Sequence, residues 1–452
     1  MQKKLFISAC TLLMAQQLVA QPLSLQEAIS NALENNQKQK ISHYDHQIAQ
    51  ARYKQVASAE YPSLDLSLTL NRHDEKFVDE TKTSFEIPAG ILAPVPVSMP
   101  VEYTHVVMGR DTAIARVDLQ YALYTGGKIS ALKEQAKQGI EYSQETSKLT
   151  EDEIIRNVKK YYAAARLSEE LVTLTQNTAE RIEAIKDITE AFYKGESLSV
   201  KKTDYLRVNL MLLSVRSILS QMKEKEKLAK SALLFEIGES QTTSIELTDK
   251  ALHTNNMPKD LQSYFEALLI NNHQLQQSNI ALKIRDAQIN EAKSDYLPTI
   301  ALYAKAQRIT NNLEGGIING TNANSWDIGA ALKLNIFSGN LTKYKVQEKE
   351  IEKLKLQAQQ AYLRSALSLQ TQNAFSSLQS ALEQVEMLTE AVAIAHENSD
   401  LNFRGYQQGM IPTKDVIEAQ IFESMTKANY YKASYEAAVA QAQLNYTVGK
   451  EL

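Results

Sequence analysis

Residues 339–409 read GNLTKYKVQEKEIEKLKLQAQQAYLRSALSLQTQNAFSSLQSALEQVEMLTEAVAIAHENSDLNFRGYQQG. Between the two terminal glycines there is no proline, and Gly405 is the one interior glycine. Ala374, Leu378, Ala381, Val385, Leu388, Val392 and Ala395 alternate spacings of four and three, the 3.5-residue apolar period that winds helices around one another. At 1.5 Å per residue, one helix over this stretch is roughly 100 Å long. No ordinary globular core encloses such a helix. A solvated coiled-coil spacer would carry the same seam, so the flanking sequence has to decide.

The chain has 452 residues, with only nine prolines and fifteen glycines, a composition that favours long helices. Its formal net charge is −4, and no basic face points to nucleic acid. Residues 1–20 read as a secretory signal: Lys3 and Lys4 precede a short apolar run, and a cut is expected after Ala20. That run is too short to span a membrane as a helix. Cys10, the single cysteine, lies in a weak lipidation context and would leave with the signal. No disulfide or thiol chemistry is then expected.

Leu23 to Glu60 reads as one helix, with Ser24 as N-cap and Glu27 three residues on. Four stretches, at about 62–70, 112–124, 299–308 and 326–337, alternate apolar and polar residues with period two, the signature of strands with unlike faces. Leu64, Leu66, Leu68 and Leu70, for example, oppose Ser63, Asp65, Ser67 and Thr69. The proline-bearing segment from Asn71 to Arg110 reads as a loop. A second long helix is expected from Lys128 to about Tyr193 and a further one from about Ser199 to Phe235, before a polar linker at 238–258.

The programme then repeats. With a shift of 236, Leu33, Asn35, Asn36, Ser42, Ile48, Ala51 and Pro62 recur as Leu269, Asn271, Asn272, Ser278, Ile284, Ala287 and Pro298. Leu123-Tyr124-Thr125-Gly126 is echoed by Ile336-Phe337-Ser338-Gly339. Gly195 and Gly409 each follow their strand by about seventy residues. The expected organisation is a tandem duplication, with one repeat at 21–237, a linker at 238–258 and the second repeat at 259–452.

Each strand has the length a tilted strand needs to cross a bilayer. Asp65, Arg116, Asp118, Lys305 and Lys333 share one face, and the other face is apolar. A water-soluble sandwich predicts the same alternation. Tyr61, Tyr124, Tyr296 and Phe337 near the helix-side strand ends, with Trp326 opposite, fit an interfacial girdle. Four strands cannot close a barrel, and open edges cannot face lipid, so a barrel requires several chains.

The duplicated helix–proline–strand unit resembles the TolC-like outer-membrane efflux proteins, the outer membrane factors. So do the Leu123-Tyr-Thr-Gly-Gly127 and Ile336-Phe-Ser-Gly-Asn340 turns and the Tyr406-x-x-Gly409-x5-Asp415 tip. The resemblance implies a mainly α fold with a membrane β-barrel part. Three chains would form a trimeric α-helical barrel and contribute four transmembrane strands each to a twelve-stranded barrel. It implies a passive exit duct for efflux or type I secretion, set in outer-membrane lipid and its helical part in the periplasm. The implied partners are two further copies of the chain, a periplasmic adaptor (membrane fusion) protein and an inner-membrane transporter. It places adaptor-docking tips at Gly195 and Gly409, and a pore constriction at Asp415, Glu418 and Tyr406. Asp415 and Glu418 lie three apart and so on neighbouring positions of one helix face, although acids near a helix N-terminus are favoured without any such role. Lys201 and Ile411 stand where the family carries an acidic and a basic residue, so the closing contact differs.

No enzyme motif is present. Gly315, Gly316 and Gly320 sit in an asparagine-rich segment that reads as loop, and His43 with His46 lack a third metal ligand. No catalytic residue, metal or cofactor is expected. The rival reading is a periplasmic coiled-coil adaptor or scaffold with a soluble β-domain.

Overall fold

The computed structural model describes residues 21–87, 97–195, 200–249, 260–312 and 324–450. The expected signal with Cys10, the glycines at 315–320, residues 250–258 of the linker and residues 196–199 of the first turn lie outside the described residues. The elements, in order, are β1 (Gln21–Leu23), α1 (Leu25–Asn35), α2 (Gln37–Ala57), β2 (Ser63–Arg72), β3 (Phe77–Ile87), β4 (Val97–Met108) and β5 (Asp111–Tyr124). There follow α3 (Lys128–Lys194), α4 (Lys202–Ile237), β6 (Ile245–Leu247), α5 (Leu261–Asn271), α6 (His273–Ser294), β7 (Thr299–Asn311), β8 (Asn324–Lys333), α7 (Leu341–Gln407) and α8 (Thr413–Val448). The helices α3 and α7 each run 67 residues without a break.

Two compact units divide the chain. In the unit that holds residues up to Ile48, Ile140–Ala281 and those from Leu356 onward, apolar clusters lie along the helices, a small one being Leu268, Leu275 and Leu367. One joins Ala28 and Ala32 of α1, Ile154 and Val158 of α3, and Leu233 and Ile237 of α4. A second joins Tyr264 of α5, Ala374, Leu378 and Ala381 of the α7 seam, and Ala437 and Leu444 of α8. Small side chains at these positions let the helices approach closely. A third cluster lies at the turns and is described below.

The single helix expected over Leu23–Glu60 is interrupted. Ser24 does cap α1, in a capping box closed by Glu27, but Asn36 adopts an extended backbone between α1 and α2. Its Nδ2 donates to the Glu236 carbonyl at 2.6 Å, and its Oδ1 accepts from the Lys38 amide at 2.8 Å. Asn272 repeats the arrangement: Nδ2 donates to the Thr447 carbonyl at 2.7 Å and Oδ1 accepts from Leu275 N–H at 3.0 Å. Asparagine side chains compete for backbone groups in this way and so end one helix and begin the next. The facing helices stop at Gly238 and Gly449, both left-handed, where a Cβ would strike Asn35 at 2.8 Å and Asn271 at 2.6 Å. The recurrent asparagine pair is therefore a joint, used twice. The linker also holds more structure than expected, because β6 pairs in parallel with β1.

The other unit holds Ala49–Gly139 and Leu282–Lys355. Its main sheet has the order β2-β5-β7-β8, every pair antiparallel. The register aligns Leu64, Leu119, Ala304 and Ile328 on one face and Asp65, Asp118, Lys305 and Asp327 on the other. The apolar face is uncovered: Leu66 is 79% exposed and Trp326 78%. Tyr61, Tyr124, Tyr296 and Phe337 are exposed as well. On the polar face Gly329 leaves room for the Tyr303 ring, whose hydroxyl would lie 2.6 Å from a Cβ at that position.

Three strand expectations change. The 71–110 segment expected as a loop carries an antiparallel hairpin, β3 with β4. Its prolines hid it; Pro100 is tolerated because a two-stranded ribbon is all edge. The fourth strand ends at Lys333 rather than 337, and β7 runs on to Asn311. Arg308, the last residue of the expected third strand, pairs with Ala115 on the apolar parity, an exception to the single charged face.

Candidate functional site at the two helical turns

Where α3 meets α4 and α7 meets α8, the chain reverses within a few residues. Ile182 and Ile185 of α3, Val208 and Leu212 of α4, Tyr406 of α7, and Val416 and Ile417 of α8 form one buried cluster. Both turns are thus held by a common apolar core. Tyr406 is 1% exposed; its hydroxyl lies 2.6 Å from Thr189 Oγ1 and 3.2 Å from Thr413 Oγ1, and its ring meets Phe192 edge to face. Tyr406, expected at a pore constriction, is in this conformation an internal strut that ties α3, α7 and α8 together.

Gly195 closes α3 through its N–H to the Ala191 carbonyl at 2.9 Å. Lys201 precedes α4, and its N–H is accepted by the Asp204 carboxylate at 3.0 Å. Tyr193 and Tyr205 stack across the turn, centroids 6.1 Å apart. The Lys194 hydrogen bond holds the Glu190 carboxyl below its ordinary pKa.

The second turn is tighter. Gly409 has φ +73°, a conformation costly for residues with a Cβ, and its N–H reaches the Tyr406 carbonyl at 3.0 Å. The Met410 N–H returns to the Gly405 carbonyl at 2.9 Å. Gly405, singled out in the sequence only as an exception, has a steric purpose: a Cβ there would lie 2.5 Å from Ile411 Cγ1. Ile411 is partly buried against the common cluster and so packs inward.

Asp415 and Glu418 lie in the first two turns of α8 and are exposed, while Val416, Ile417 and Ala419 between and after them are buried. The two carboxylates share an outward face. Glu418 lies 3.6 Å from Lys414 Nζ, a partner that sequence reading passed over. One turn deeper, Glu423 is buried between the helices, with Oε1 accepting from His396 at 2.7 Å and Lys427 at 2.6 Å. Burial pushes its carboxyl pKa up, but the Lys427, His396 and Ser399 hydrogen bonds outweigh this and leave it below the ordinary value. Thr178 of α3 and Ser424 of α8 share a 2.7 Å hydrogen bond beside it. Among the described residues, no group of three or more His, Cys, Asp or Glu could hold a metal ion, and no helix is long and apolar enough to cross a membrane.

The family model for outer membrane efflux proteins matches residues 28–195 and 265–450. Nodulation protein T of Rhizobium leguminosarum bv. trifolii is 24% identical over 303 residues, which is 65% of this chain and 62% of that protein. The match spans less than two thirds of the relative. A membrane protein from Pseudomonas aeruginosa superposes with a TM-score of 0.75 at 17% identity, covering 94% of this chain and 93% of that one. The CmeC outer membrane channel of Campylobacter jejuni superposes with 0.73 at 14% identity, covering 94% and 85%. The residues matched by the family model take in both long helices, the second turn, and strands β2 to β5, β7 and β8; the first matched stretch stops at Gly195, where the first turn begins. The chain belongs to the outer membrane efflux protein family, with the TolC-like fold, and is a protein of the outer membrane whose helices lie in the periplasm.

Proposed function

We propose that this chain is the exit duct of a tripartite efflux or type I secretion assembly, a passive conduit from periplasm to exterior. The observation that carries the reading is the open four-stranded sheet. Its apolar face is uncovered, its outer strands β2 and β8 have no further strand partner among the described residues, and such edges cannot face lipid unpaired. Three copies supply twelve strands and close the edges, which makes the working form a homotrimer. Each copy contributes two repeats, 21–237 and 259–452, joined through 238–258. The turns at Gly195 and Gly409 dock a periplasmic adaptor, through which an inner-membrane transporter supplies the energy.

Asp415 and Glu418, exposed on one face next to the second turn, form the constriction. Three copies place six carboxylates around it, partly offset by Lys414, and a ring of acids favours cations. Tyr406 shapes this constriction from behind, by fixing the turn that carries it. In planar bilayers the protein is expected to give a cation-selective conductance that multivalent cations block from the periplasmic side. Asp415→Ala with Glu418→Ala should abolish the block; an unchanged block removes both residues from the constriction. Crosslinks from the turns to the adaptor should be lost in Gly195→Trp with Gly409→Trp, and export that survives both substitutions places the docking site elsewhere.

A further inference from the structure

A groove of about 860 Å³ runs between α3, α7 and α8, far from the two turns along the chain. Its α3 wall is Arg156, Asn157 and Lys160; the α7 wall includes Ser377 and Ser380; and the α8 wall includes Tyr435. Arg156 and Lys160 are one helical turn apart, the spacing at which like charges repel. The acids of the preceding turn do not neutralise them. Glu153 pairs with Lys38 at 2.7 Å, and Asp152 faces His273 at 3.6 Å. The Arg156 guanidinium instead lies over the Tyr446 ring, 4.2 Å from its centroid, with Nε and Nη2 donating to Asn157 Oδ1 at 3.3 and 3.0 Å. Both contacts fix the plane of the guanidinium. Nη1 and one Nη2 hydrogen remain for a ligand, in the fork that matches two oxygens of a carboxylate or phosphate. Among the described residues, no carboxylate is recorded within ion-pair distance of Arg156 or Lys160. Glu436 at the opposite wall is itself 3.6 Å from Lys432.

We propose that this groove is a binding site for small organic anions that carry carboxylate or phosphate groups, held by Arg156 and Lys160 and by the hydroxyls and amides of the facing walls. The volume is that of a drug-sized site, and Asn373, Ser377, Ser380 and Gln384 offer hydrogen bonds beside the apolar Ala374 and Val439. The site rests on the chain's own residues and stands whether or not the protein is a duct; if it is, anions meet a station here that cations do not.

The test is isothermal titration of the purified full-length protein in detergent with citrate, with inorganic pyrophosphate and with uncharged trehalose. Citrate or pyrophosphate should bind and trehalose should not, with an affinity that falls as salt rises. Lys160→Glu, a change at an exposed side chain that leaves the core intact, should weaken anion binding by roughly tenfold or more, as expected for reversal of one contacting charge. Arg156→Lys keeps the charge but loses the fork, and should weaken citrate in the same direction. Glu436→Gln should tighten it. Binding of citrate alone makes the site a carboxylate site, and binding of pyrophosphate alone a phosphate site. Affinities unchanged in Lys160→Glu and Arg156→Lys, or no heat with either anion, overturn the proposal.

Discussion

The β-sheet and the helical turns carry the same kind of sequence signal and meet opposite fates. In β2, Leu64, Leu66, Leu68 and Leu70 make an unbroken apolar row, and all four are exposed. Near the turns, Ile182, Ile185, Val208 and Val416 make an equally apolar set, and all four are buried. An apolar period tells which face shuns water. It does not tell what covers that face, because another element, another copy or lipid each satisfies it. The chain covers its own apolar surface at the turns and leaves the sheet for its surroundings.

The sharpest way to break this comparison is to place a charge on each face of β2. Leu68→Arg is expected to cost about 2–4 kcal/mol if the strand spans the bilayer near its midplane, read as loss of the folded, membrane-integrated form in a urea titration. Ser67→Arg, one residue away on the polar face, should change little. Equal effects at the two positions would show that the apolar face of β2 is not turned to lipid. The matching change in the helical region is Ile185→Ala, fully buried, which should cost about 2–5 kcal/mol, seen as a lower denaturation midpoint of the helical signal with no loss of membrane insertion.

A smaller effect sharpens the comparison within the turns. Gly405→Ala sets a Cβ against Ile411 and should destabilise the second turn by roughly 1–3 kcal/mol, the usual cost of overpacking. Ile411→Ala makes room, so the double variant should recover much of the loss. Full additivity of the two changes would show that the contact does not matter.

The smallest effect is a pH dependence confined to the helices. The Glu423 carboxyl pKa is lowered by its partners in the folded chain. Its contribution is therefore fully present above the unfolded carboxyl's ordinary 4.5 and disappears as pH falls through the lower folded value. Glu423→Gln should lower the melting temperature at pH 7, and the gap to the parent should narrow between pH 5 and pH 3, as measured by circular dichroism at 222 nm. A gap constant across that window would show that the charge of Glu423 does not contribute.

The long helices and the four strands were legible in the sequence, because each follows from a period the backbone itself imposes: 3.5 for supercoiled helices and two for strands. The Ser24 cap was legible for the same reason, its partner Glu27 being three residues away. The family resemblance added the fold as a whole and pointed to the two turns. What only tertiary structure decided depends on residues far apart in the chain. Asn36 breaks a helix because Glu236 stands ready to accept its amide. Tyr406 is a buried strut because Thr189, 217 residues earlier, reaches its hydroxyl. Gly405 is needed because Ile411 turns back upon it. The β3–β4 hairpin escaped notice because its prolines are compatible with an edge that no local pattern reveals. Local periods fix which elements form and which face is apolar; the partner that satisfies each side chain is fixed only when distant segments meet.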